Sequence, residues 1–187
     1  EDDNFKIIYM PTLRGVMNDE FNLLSNSNFD FELIDKRLSS LNVTLFIKLH
    51  PVQVFTQKDK ELIKTSKHIK AIFNDDDIYE SLGEYDVLIT DYSGIFFDFM
   101  ISGKPIIMAP LDYDSYTKND RAVYYEYNSI CPSPPCNNWK EIINSIELLM
   151  HNQDIPIRYY EIQNKFHKYT DDKSSERVIE EIKRIVS

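Results

Sequence analysis

Glycine is scarce in this chain, with four residues among 187. Neither G-x-G-x-x-G nor the Gly-rich Walker loop occurs, so any nucleotide site has to be built another way. Basic residues are also in deficit: 21 Lys and Arg stand against 31 Asp and Glu, a formal charge of −10. A nucleic-acid surface carries the opposite balance, which excludes that partner class and requires any anion site to be local. The two cysteines, Cys131 and Cys136, flank Pro132-Ser133-Pro134-Pro135. A disulfide across that turn is one reading, but a lone pair in a chain of this size fits reduced thiols better. No Cys/His spacing suits a metal, and no cofactor is evident. No apolar run nears the roughly 18 residues of a membrane span, and no charged-then-apolar leader opens the chain. The first residue is Glu with a strand pattern directly behind it, as expected of a domain cut from a longer polypeptide.

What the chain does have is apolar material, 42% of its residues, enough to bury a core. Short runs rich in β-branched and aromatic residues predict strands over Lys6–Met10, Val43–Leu49, Ile69–Phe73, Val87–Thr90 and Pro105–Met108, with a sixth over Ala122–Tyr127. Helical spacing lies between them, over Phe31–Leu41, Lys58–Thr65, Ile78–Glu84 and Ile95–Ile101. That alternation predicts an α/β fold, a Rossmann-like parallel sheet with flanking helices. From about residue 138 only helices are expected: Trp139–His151, Pro156–Phe166 and Ser174–Val186, the last with Ser174 as its cap. The stretch from Pro11 to Asn28 is the one long irregular segment, a length that points to function.

Ligands of open α/β sheets bind at the carboxyl ends of the strands. Polar residues collect there: Thr12 and Arg14 after the first strand, His50 after the second, Asp75-Asp76-Asp77 after the third, Asp91, Ser93 and Gly94 after the fourth, Asp112 after the fifth. Ser93-Gly94 opens a helix, so that either Ser93 caps it or an anion rests on its free amides, with Gly94 giving the anion room. Arg14 suits a phosphate through its bidentate fork, or is a solvated surface residue. His50 is structural or catalytic. The aspartates before Ile78 cap a helix or reach a ribose, and Lys173 to Arg177 is a solvated helix start or a ligand contact.

Together, "YMPTLRG", "LFIKLHP", "YDVLITDYSGIFFDFMISGKPII", "PLDYDSY" and "YTDDKSSERV" resemble, in order, the C-terminal half of the CDP-glycerol glycerophosphotransferases, which polymerise teichoic acid and related capsule polymers. The resemblance spans nearly the whole chain. It implies the C-terminal half of a GT-B arrangement, with residues 1–187 binding the CDP-polyol donor, residues 138–187 forming a helical extension, and the N-terminal acceptor domain absent. It further implies that Arg14 and His50, the latter catalytic, meet the donor phosphates. Thr12, Asp112 and the turn from Thr90 and Asp91 to Ser93 and Gly94 would bind substrate, and Ser175, Glu176 and Arg177 would close over it. The reaction implied is transfer of glycerol or ribitol phosphate to a polymer or lipid-linked acceptor, with CMP leaving. The full-length protein would then work peripherally at the cytoplasmic face of the bacterial membrane. Departures are Leu13 where the family often has Trp, Gly94 where it often has a second Ser, Asp172 for Gly and Ser174 for Ala; the Gly94 change could shift the choice between glycerol and ribitol donors. A UDP-sugar transferase or epimerase of the same architecture is one alternative, and a non-catalytic nucleotide-binding module another.

Overall fold

The computed structural model describes residues 4–15, 19–22, 28–73, 77–119 and 122–186. Strand β1 is Phe5–Met10, followed by a two-residue β2 at Glu20–Phe21 and helix α1 at Phe31–Ser40. Then come β3 (Val43–Lys48), β4 (Val54–Phe55), α2 (Gln57–Thr65), β5 (Ile69–Ile72), α3 (Ile78–Ser81), β6 (Val87–Thr90), α4 (Ile95–Met100) and β7 (Ile106–Met108). The remainder is helical: α5 (Tyr113–Asn119), α6 (Tyr127–Ile130), α7 (Trp139–His151), α8 (Ile157–Phe166) and α9 (Ser174–Val186).

Among the described residues, five strands form one sheet in the order β5-β3-β1-β6-β7, every pairing parallel. The chain first builds outward from β1 through β3 to β5, then returns to the other side of β1 with β6. The order therefore reverses between β1 and β6, and at such a point the following loops diverge and open a crevice. Strands buried on both faces are mostly apolar, and β6, Val-Leu-Ile-Thr, is buried along its whole length, its one polar side chain donating to the Met10 carbonyl. Period-2 geometry sends Ile7, Tyr9, Val87 and Ile89 to one face, under α1 and α7. It sends Ile8 and Leu88 to the other, under α4 and α8. On the first face Trp139 is wedged edge-on between Tyr9 and Phe29, with ring centroids 5.3 and 4.6 Å away.

Two expectations are corrected. Residues 122–126 form no strand: Tyr124 is 93% exposed, and the Glu126 carboxylate accepts the Asn128 and Ser129 N–H groups to cap α6 instead. Ser174 is the first helical residue of α9 rather than its cap. Asp77 does cap α3, accepting from Tyr79 N–H, whereas Asp75 and Asp76 lie outside the described residues, as do residues 16–18 and 23–27 of the irregular segment. Both cysteines are free thiols and buried. Burial pushes the Cys131 thiol to about 11, so it stays protonated and is no nucleophile.

Candidate functional site

The crevice at the sheet's switch point is a cleft of about 450 Å³ lined by Pro11, Lys48, His50, Tyr79, Ser93 and Gly94 among others. These come from the carboxyl ends of β1, β3 and β6 and from α3. Parallel register puts the three strand ends side by side: Tyr9 lies opposite Ile47 and Ile89, so the next residues of each strand leave the sheet together. Pro51 then stops β3 from continuing and leaves His50 exposed at the cleft.

The backbone N–H of Val52 points at His50 Nδ1, 3.4 Å away. With Nδ1 accepting, a neutral imidazole carries its proton on Nε2, so the outward nitrogen is a donor. Gly94 has ordinary right-handed backbone angles, and a Cβ built on it meets nothing within 4 Å. The fold therefore does not require glycine there; the missing side chain leaves open space at the cleft. The cap position of α4 is Gly94 itself, with no side-chain cap bond; Ser93 Oγ accepts from Ile95 N–H only at a long 3.4 Å, and its hydroxyl proton is left to donate. At the rim, Tyr79 donates its hydroxyl to Asp98 at 2.9 Å, tying α3 to α4.

Beside the cleft lies a second cluster that the sequence reading did not foresee as a unit. Asp91, 1% exposed, accepts from Thr12 N–H at 2.9 Å, Thr12 Oγ1 at 2.5 Å, its neighbour Tyr92 N–H at 2.6 Å and the Arg14 guanidinium at 2.6 Å. Arg14 also grips Asp112 bidentately, at 2.7 and 2.8 Å, and donates to the Thr12 carbonyl at 2.7 Å. The guanidinium lies 5.2 and 4.7 Å from the ring centroids of Tyr92 and Tyr116. Burial opposes its charge, but the Asp112 and Asp91 carboxylates more than offset this and hold its pKa above the ordinary value. Burial, and then the Asp112 and Asp91 charges, raise the Tyr92 phenol as well, so it offers no base. Gly15, at φ +68°, lets the chain turn away directly after Arg14; a side chain there would collide with Asp19.

Of the expected site residues, then, His50, Ser93 and Gly94 reach the cleft. Thr12, Asp91 and Asp112 hold one another through Arg14, and Thr90 is fully buried with its hydroxyl on the Met10 carbonyl. Arg14, expected to face phosphate, has four of its five N–H donors bonded inside the protein. Ser175, Glu176 and Arg177 sit on the first turn of α9 and are not among the cleft-lining residues. Arg177 instead pairs with Asp171 at 2.7 Å and lies over the Tyr169 ring at 3.9 Å. Lys48 was missed: it is buried and lines the cleft beside His50. A lysine closing an apolar strand gave no signal beyond an ordinary snorkelling side chain.

A profile of the family described as CDP-glycerol:poly(glycerophosphate) glycerophosphotransferase matches residues 1–184. The chain belongs to that family. Similar family relatives include the teichoic acid glycerol-phosphate primase of Bacillus subtilis (strain 168), 31% identical across 97% of this chain and 44% of the relative. Another is the teichoic acid poly(ribitol-phosphate) polymerase of Bacillus spizizenii, 30% identical across 96% of this chain and 28% of the relative. The chain thus spans less than half the length of these relatives. Among solved structures, the wall teichoic acid polymerase TagF, from a crystal soaked with CDPG, superposes over all of this chain and 44% of its own, with TM-score 0.72 at 20% identity. The UDP-GlcNAc 2-epimerase of Neisseria meningitidis gives 0.52 at 15%, over 98% of this chain and 46% of its own. Both likenesses concern the fold: the parallel sheet with helices on each face that the family membership predicts.

Proposed function

We propose that this chain is the donor-binding half of a transferase that moves glycerol phosphate, or ribitol phosphate, from a CDP-activated donor to a growing teichoic-acid-type polymer. The observation that carries the reading is the cleft itself: in a chain of this family, His50, Lys48 and the Ser93-Gly94 turn converge where the sheet order reverses. A diphosphate fits this arrangement. Its oxygens are strong acceptors, and the cleft offers the Nε2–H of His50, the Ser93 hydroxyl and the open space over Gly94. The helix behind that turn, α4, has only six residues, so local donors count for more than its dipole.

In the reaction, an acceptor hydroxyl oxygen bonds to the β-phosphorus of the donor. The bond from that phosphorus to the bridging oxygen breaks, and CMP departs with the electron pair. His50, as a donor, steadies the charge building on the phosphate oxygens or on departing CMP. In this proposal the polymer acceptor is held, and its proton taken, by the part of the family length that this chain does not span.

A thermal-shift screen with CDP-glycerol, CDP-ribitol, CMP, UDP and UDP-GlcNAc tests this. A ligand at 100 times its dissociation constant adds about 2.7 kcal/mol of stability, an easily read shift. Cytidine compounds should raise the melting temperature and uridine compounds should not; equal shifts would give the cleft to a UDP-sugar enzyme instead.

Among the described residues no helix is long and apolar enough to cross a membrane. Peripheral attachment at the cytoplasmic face belongs, in this proposal, to the full-length protein. The α9 apolar residues Val178, Ile179, Ile182, Ile185 and Val186 are exposed, but the polar face of the helix mixes acids with bases instead of presenting the basic surface that anionic lipid attracts. Purified chain should stay unbound in liposome flotation, and tight flotation would contradict that division.

A further inference from the structure

We propose that Arg14 and Asp112 are positioning residues: the chain of contacts Asp112–Arg14–Asp91 fixes the turn that presents Ser93 and Gly94, and Arg14 does not touch the ligand. This rests on reading the adjacent cleft as the donor site. The contacts join three separate loops. Thr12 and Arg14 follow β1, Asp91 follows β6 and Asp112 follows β7, so one guanidinium ties together the loops on both sides of the switch point. Asp91 is the hub, and its backbone leads directly into Tyr92, Ser93 and Gly94. Its carboxylate holds Tyr92 N–H, and its carbonyl accepts the Tyr127 hydroxyl at 3.3 Å. Tyr92 is fixed at its other end too, with its hydroxyl on Asp112 at 3.2 Å and its ring stacked on Tyr116 at 4.4 Å. The loop after β3 joins through Gln53, which donates to the Arg14 carbonyl at 3.3 Å.

Charge argues the same way. Two carboxylates against one guanidinium leave the cluster at about −1, a poor place for a diphosphate. A guanidinium meant for the ligand would have its donors open, whereas this one has a single N–H left over within the cluster.

Substituting Asp112 separates the two roles by sign. If Arg14 were a phosphate ligand, Asp112→Asn would remove its competitor, add a positive unit beside the cleft and tighten donor binding. If Arg14 positions the turn, the same change slackens its grip and weakens binding. Asp112 has a side chain 27% exposed, and asparagine is its isostere, so the variant should fold. Asp112→Asn is expected to weaken CDP-glycerol binding by about tenfold, the scale of one lost charge-assisted hydrogen bond. Arg14→Lys, which keeps the charge and loses the fork, should do likewise, and the double variant should be no worse than the poorer single one, since both cut the same link. Backbone amide order parameters at residues 92–95 should fall in Asp112→Asn without ligand, while those in the sheet stay unchanged.

Tighter or unchanged binding by Asp112→Asn, or unchanged order at 92–95, overturns the inference. If the unmodified chain binds no CDP-glycerol, it is the donor assignment that fails, and the ligand-free order parameters still decide whether the clamp positions the turn.

Discussion

Asp91→Ala should lower the melting temperature by on the order of 10 °C. The carboxylate is almost wholly buried and accepts from Thr12, Tyr92 and Arg14 at once. Removing it leaves two backbone or hydroxyl donors of Thr12 and the Tyr92 amide without their acceptor, and takes from Arg14 one of its two counter-charges. Breaking a buried pair from one side costs about 3–5 kcal/mol, and a domain of this size loses roughly 2–4 °C per kcal/mol. Because Asp112 still holds Arg14, the lower part of that range applies. Asp91→Asn should cost less, since it keeps an acceptor of the same shape. Differential scanning calorimetry of the two variants checks this; a shift below about 2 °C for the alanine variant, on the same scale, would mean that the cluster is decorative.

His50→Ala should reduce acceptor-dependent CMP release in the full polypeptide by about a hundredfold or more, the usual scale for losing a donor aimed at developing charge. His50→Gln should recover about tenfold of that loss. The reason is the tautomer: Val52 N–H occupies Nδ1, so the working atom is Nε2–H, and the glutamine side-chain amide places a donor in nearly the same position. A base could not be replaced in this way. Single-turnover assays of the three proteins would decide, and glutamine as inactive as alanine would make His50 a base or a nucleophile instead.

The sheet was legible in the sequence because strands buried on both faces are mostly apolar, as Val87, Leu88 and Ile89 of β6 and Val43, Leu45, Phe46 and Ile47 of β3 are. The same rule misled at Ala122–Tyr127, where aromatic residues suggested a strand, yet Tyr124 is exposed and the adjacent Glu126 starts a helix. Helix α5 was hidden because Asp112-Tyr113-Asp114-Ser115 reads as turn chemistry. At the site, the strand-end rule placed His50, Ser93 and Gly94 on one edge without any pairing information. It had no means of pairing Arg14 with Asp91 and Asp112, 77 and 98 residues further along the chain. An arginine after a strand looks the same whether its charge is open to a ligand or held by two carboxylates; only the third dimension separates the two.

The central claim is that the cleft between Pro11, His50 and Ser93-Gly94 holds the diphosphate of a cytidine-activated polyol. Titration calorimetry of CDP-glycerol against this chain and its Gly94→Val variant tests it most directly. The fold has space for the valine, since a Cβ at position 94 meets no atom within 4 Å, so the variant should melt like the unmodified chain. Its side chain would nevertheless occupy the room the diphosphate needs. The account predicts binding by the unmodified chain and an affinity lower by about tenfold or more in the variant, a loss of at least about 1.4 kcal/mol. Equal affinities in two equally stable proteins would place the donor elsewhere and contradict the account.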